Sequence, residues 1–144
     1  MAFAQSDAQK SFDKLKTLTG SREGTMEGKP PQVSLGVTSM GSALMDEMTG
    51  SGSPDDPITM FHLDGGRLLM THYCDGGNQP GMVGTISPDG KTITFDFLDA
   101  TNLLSSQVGH MQHVVLQPHR LRSSHRNLGV RDGGGPNRWV DCWT

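Results

Sequence analysis

Between positions 33 and 116, apolar and polar residues alternate in short runs broken by turn residues, and this period of two is what most limits the fold. Val33, Leu35 and Val37 alternate with Ser34, Gly36 and Thr38, and Ile93, Phe95 and Phe97 alternate with Thr94 and Asp96. Successive side chains on a strand point to opposite faces, so such runs predict strands with one buried face. Strands are also predicted over Ala43 to Thr49, Ile58 to Leu63, Arg67 to Cys74, Met82 to Ile86 and His110 to Leu116. Asp64-Gly65-Gly66 and Ser87-Pro88-Asp89-Gly90-Lys91 read as hairpin turns, Gly50 to Pro57 and Asp75 to Pro80 as loops, and Asp99 to Gly109 as a longer connection. Upstream the period is helical. Ala8, Phe12, Leu15 and Leu18 share one face from Asp7 to Leu18, with Ser6 or Asp7 as the N-terminal cap and Gly20 as the stop. The expected fold is mainly β: one short N-terminal helix, then an antiparallel meander of seven or eight strands forming an incomplete barrel. Barrel closure removes strand edges that would otherwise pair with other chains.

Composition narrows the function classes. A chain of 144 residues suits one domain, and its 19 Gly fit many turns. No apolar run approaches the ~20 residues of a membrane-spanning helix. A net charge of −3 does not suggest a nucleic-acid surface, and two Cys do not make a disulfide framework. Residues 1–6 read as a tail in which Ala2-x-Ala4 matches the small-x-small pattern of an export-signal remnant. Residues 7–116 form the β domain.

Residues 117–144 are written differently. All five Lys lie before position 117, whereas the five basic residues after it are all Arg. Pro118 stops the last strand, and no period of 2 or 3.6 follows. When codons for 116–130 are written with one choice of the free wobble bases and read one base later, that choice gives Phe-Asn-Leu-Ile-Asp-Ser-Asp-His-His-Thr-Glu-Thr-Trp-Glu-Phe. That is a strand end, a turn and an alternating strand. The tail is therefore read as frame-shifted, irregular and poorly packed, leaving the sheet without its closing hairpin.

Several side chains could carry chemistry. His72 and Cys74, at i and i+2 of one predicted strand, are expected on one face. With His110 they are the candidate ligands of a zinc or haem site, although the spacing matches no metal signature. The candidate ligand-binding set is His62, Met70, His72, Tyr73, Cys74, Asn78 and Gln79, with Asn78 and Gln79 at a cavity rim. Met60, Met70, Met82 and Met111 supply adaptable apolar surface, which suits a small apolar molecule or an ordinary core. Catalysis finds little support. Asp46/Glu47 and Asp55/Asp56 read as solvated pairs, and Ser105, Ser106, Asp99 and His110 lack a nucleophile elbow. The expected function is a non-catalytic binding barrel. The alternatives are a metal- or haem-binding barrel, and a small enzyme acting in the barrel cavity.

The segments Leu18-Thr19-Gly20-Ser21-Arg22-Glu23-Gly24-Thr25, Phe61-His62-Leu63-Asp64-Gly65, Thr71-His72-Tyr73-Cys74, Gly77-Asn78-Gln79-Pro80 and Thr94-Phe95-Asp96-Phe97 resemble small bacterial lipocalin-like (calycin-type) β-barrel proteins of unknown function. The resemblance covers most of residues 10–116. It implies a ligand-holding barrel and a periplasmic or secreted parent, whereas the chain as written, without a complete signal peptide, would stay cytoplasmic. It also implies that Arg22 stands where such barrels place a Trp that plugs one end. Gly36, Gly66 and Gly81 likewise stand where a side chain is expected, the marks of an impaired copy.

Overall fold

The computed structural model describes residues 4–23, 32–50, 54–117, 127–130 and 138–141. Helix α1 (Asp7–Lys16) comes first, followed by β1 (Gly20–Glu23), β2 (Gln32–Thr38), β3 (Ala43–Thr49), β4 (Ile58–Asp64), β5 (Arg67–Tyr73), β6 (Gln79–Ile86), β7 (Ile93–Thr101) and β8 (His113–Leu116). These eight strands form one antiparallel sheet in sequence order, a meander that is not closed between β1 and β8. The tail holds two further strands, β9 (Asn127–Val130) and β10 (Arg138–Asp141), which pair with each other in a separate two-stranded sheet rather than extending the meander. The rest of the segment read as frame-shifted, from Pro118 on, lies outside the described residues.

Register lines up the inward side chains in rows that run across the strands. One row joins Leu44, Phe61, Met70 and Met82, with the exposed Val37 paired to Leu44 at its β2 end. The next joins Leu63, Leu68, Gly84, Phe95 and Val114, and another joins Ile86, Ile93 and Leu116. Nearly all the buried apolar side chains of the strands lie in these rows. The sheet must curl around them. Phe61 on β4 and Phe95 on β7 are three strand spacings apart, ~14 Å in a flat sheet. Their ring centroids nonetheless lie 5.6 Å apart, tilted at 59°.

Helix α1 covers part of this inner face. It packs on β4, β5 and β6, and buries Ala8, Ser11, Phe12 and Leu15 at helical spacing. Ser6 caps it by accepting from the Gln9 N–H at 3.2 Å. The Lys14 ammonium donates to the Gly90 carbonyl, which places the helix at the β6–β7 turn end of the sheet. The helix stops earlier than the sequence suggested. It ends at Lys16, where the Thr17 and Thr19 hydroxyls donate to the Lys14 and Lys16 carbonyls, and Gly20 instead opens β1. Hydroxyls that satisfy the last carbonyls make a glycine stop unnecessary.

Strand limits also moved. β6 begins at Gln79 and β7 runs on to Thr101, because Gln79 faces Thr101 and a bulge at Gly81/Met82 absorbs the mismatch. At Gly81 a Cβ would stand 2.5 Å from Oδ1 of the exposed Asp99 side chain, which would have to swing aside. At Gly36 and Gly66 the space is open.

The β2–β3 turn carries local strain. Ser39 (φ 51) and Met40 (φ 53) both adopt the left-handed region, and Met40 is fully exposed. A left-handed backbone costs a residue with a side chain ~1–2 kcal/mol, which Gly avoids. Met40→Gly is expected to raise the melting temperature, with a gain of ~1 kcal/mol in urea denaturation. An unchanged or lower midpoint would show that the turn is not strained.

Candidate functional site

One row on the inner face is unlike the others. Asp46 on β3 faces Thr59 on β4, and Thr59 faces His72 on β5. All three are buried, at 3%, 2% and 9% exposure. Thr59 Oγ1 lies 2.9 Å from His72 Nδ1, a direct hydrogen bond between the two side chains. The neighbouring row is Leu44, Phe61, Met70 and Met82, so the polar groups border an apolar surface. His72 stands at the end of β5 remote from Leu68, whereas α1 is anchored at the Gly90 turn. The polar row and the helix therefore occupy opposite ends of the curled face.

Strand parity decides the fate of the predicted ligand-binding residues. Met70 and His72 face inward. His62 and Tyr73 have the opposite parity and are exposed on the outer face, so neither joins the row. Cys74, expected to share a face with His72, lies one residue beyond the end of the strand. β5 ends at Tyr73, and the chain turns there, with the Gly77 N–H donating to the Cys74 carbonyl at 3.2 Å. Asn78 and Gln79 fasten the backbone. Asn78 is 2% exposed and donates to the Gly109 carbonyl at 2.9 Å, and the Thr101 hydroxyl donates to Gln79 Oε1 at 2.7 Å.

His110 is a packing residue. The Gln112 amide nitrogen donates to its Nε2 at 2.9 Å, so Nδ1 carries the proton and donates to the Val108 carbonyl at 2.7 Å. Its ring lies against Phe97 with centroids 4.9 Å apart. Both nitrogens are thereby engaged, which accounts for its burial without a metal and without a link to Ser105, Ser106 or Asp99. Among the described residues, no group of three or more His, Cys, Asp and Glu side chains could hold a metal ion. No helix among them is long and apolar enough to cross a membrane.

No protein-family model matches the chain, and neither does a curated protein or a solved structure.

Cys74 belongs instead to a shallow, open depression of about 430 Å³ that it shares with Asp55, Asp56, Ile58, Tyr73 and Asp75. Burial pushes the Cys74 thiol pKa up, and the Asp55 and Asp75 carboxylates push it further, against a backbone hydrogen bond from Gly76. Asp55 is itself raised, first by burial and then by Asp75, while the Asp75 N–H it accepts at 3.1 Å pulls the other way. A raised thiol pKa leaves little thiolate near neutral pH, and the thiolate is the nucleophile. Cys74 alkylation by iodoacetamide at pH 8 is therefore expected to be slower than that of a free-thiol peptide. Asp55→Asn with Asp75→Asn should speed it by about twofold or more, because each carboxylate removed favours the thiolate. Alkylation as fast as the peptide's would contradict that environment. The linkage sign for Asp55 is the reverse of the usual carboxylate case. Its folded-state pKa lies above the unfolded one, so its ionised form weakens the fold at neutral pH and protonation relieves this in acid.

Two members of the polar row were missed as site residues. Asp46 was expected to be solvated beside Glu47, yet it is buried while Glu47 takes the other parity. Thr59 was not singled out. Both could have been found by phase: Leu44 inward implies Asp46 inward, and Phe61 inward implies Thr59 inward.

Proposed function

We propose that the chain is a non-catalytic, lipocalin-like protein that binds a small, mostly apolar molecule on the inner face of its curled sheet. The observation that carries this reading is the buried polar row Asp46, Thr59 and His72 beside the apolar row Leu44, Phe61, Met70 and Met82. Small-molecule sites combine an apolar lining with a few placed polar groups that fix orientation. The open meander and the helix at its far end leave the polar row as the anchoring point.

The test uses N-phenyl-1-naphthylamine, an uncharged probe that brightens in apolar surroundings. Its fluorescence should rise to saturation at one site per chain. Met70→Ala, on the inner face, should weaken binding by about threefold or more, in line with the loss of buried apolar contact. Tyr73→Ala, on the outer depression, should leave it unchanged. A rise that never saturates, or binding sensitive to Tyr73 and indifferent to Met70, would overturn the reading.

A further inference from the structure

Among the described methionines, Met40 differs from the rest in its surroundings. Met70, Met82 and Met111 are buried at 2%, 0% and 5% exposure, and Met45, Met48 and Met60 are half-buried on their strands. Met40 sits in the turn between β2 and β3 and is fully exposed. Its backbone lies in the left-handed region, where glycine is the cheaper residue. Neither packing nor backbone conformation therefore calls for a long apolar side chain at this point. What the turn presents to solvent is a polarizable thioether, which is oxidised to a sulfoxide by transfer of one oxygen.

We propose that Met40 is a reversible oxidation site for small hydroperoxides, at which the fold accepts oxygen without losing structure. A sulfur lone pair of Met40 attacks one peroxide oxygen, and the O–O bond breaks. The transferred oxygen passes its proton to the departing one, which leaves hydrogen peroxide as water. The thioether loses two electrons and the peroxide gains them. The S–O dipole forms in water, so it displaces no packed neighbour. The same change at Met70 or Met82 would put a polar group into the buried row with Leu44 and Phe61. An exposed sulfoxide is also open to a methionine sulfoxide reductase, whose thiols are oxidised to a disulfide as the thioether returns and water leaves.

The test treats the full-length chain with hydrogen peroxide at pH 7 and follows each methionine by peptide mass spectrometry. Met40 sulfoxide should form within about twofold of the rate for N-acetylmethionine amide, and about tenfold or more ahead of Met70 and Met82, whose sulfurs wait for local opening. Met45, Met48 and Met60 should fall between. The chain oxidised at Met40 should keep its urea midpoint, and a methionine sulfoxide reductase with dithiothreitol should restore the thioether without denaturant. Met40→Leu should remove the fast site and leave the rates at Met70 and Met82 unchanged. Oxidation of Met70 or Met82 at the pace of Met40 overturns the site. A midpoint that falls on Met40 oxidation, or restoration only in urea, overturns its tolerance by the fold.

Discussion

Phe95→Ala is expected to cost about 3–5 kcal/mol, the range for removing a buried aromatic ring from a core. Phe95 is 0% exposed, lies on β7 and touches Phe61 from the opposite flank of the curl. Its ring joins parts of the sheet that no backbone hydrogen bond connects. The loss therefore combines the transfer free energy of the ring with a void that the neighbouring strands cannot easily close. A domain of ordinary stability has ~5–15 kcal/mol in total, so the variant should sit near the edge of folding. Urea denaturation should show a large fall in midpoint with little change in slope. A loss below about 1 kcal/mol would mean that the two flanks do not meet as described.

The second large effect is expected at Gly84, which faces Leu68 on one side and Phe95 on the other. A Cβ at this position would stand 2.9 Å from Phe95 Cε1 and 3.3 Å from Leu68 Cδ2. Both are fixed in the core, so neither can swing aside freely. Gly84→Val should cost about 1–3 kcal/mol through overpacking. The added volume and the ring compete for the same space, so the double variant Gly84→Val/Phe95→Leu should be more stable than the summed single losses predict. Strict additivity would place the clash elsewhere. Gly36→Val offers the contrast. Nothing lies within 4 Å of a Cβ there, and Val suits a strand, so the change should be neutral or stabilising by a few tenths of a kcal/mol.

Much of this architecture was legible in the alternation. The runs around Leu35, Phe61, Met70 and Phe95 gave the strands, and Asp64-Gly65-Gly66 and Pro88-Asp89-Gly90 gave two of the turns. Strand ends were harder to read. The bulge at Gly81 and the pairing of Gln79 with Thr101 depend on contacts between segments distant in sequence, which a local pattern does not carry. The candidate site was legible only in part. His72 was placed by the phase of β5, but Cys74 was assigned the same face by extending that phase past the strand's last residue. His110 looked like a ligand because of its residue type, and its partners Val108, Gln112 and Phe97 are visible only in three dimensions. Asp46 was obscured by Glu47 beside it, since two adjacent carboxylates look solvated until the strand sends them to opposite faces.

These effects share one origin. Curling brings the inward rows of β4 and β7 into contact, and the Asp46–Thr59–His72 row lies beside the Leu44–Phe61–Met70–Met82 row on the same face. Substitutions in the Phe95 row should act mainly on the unfolding midpoint.

Methionine methyl groups report on this arrangement directly. Met70 and Met82 lie on the inner face, whereas Met45 and Met60 take the opposite parity on β3 and β4. In carbon–proton spectra of the methyl-labelled chain, addition of N-phenyl-1-naphthylamine should shift the Met70 and Met82 signals through the probe's ring currents and leave those of Met45 and Met60 in place. Shifts confined to Met45 and Met60, or no shift at saturating probe, would contradict an inner-face binding site.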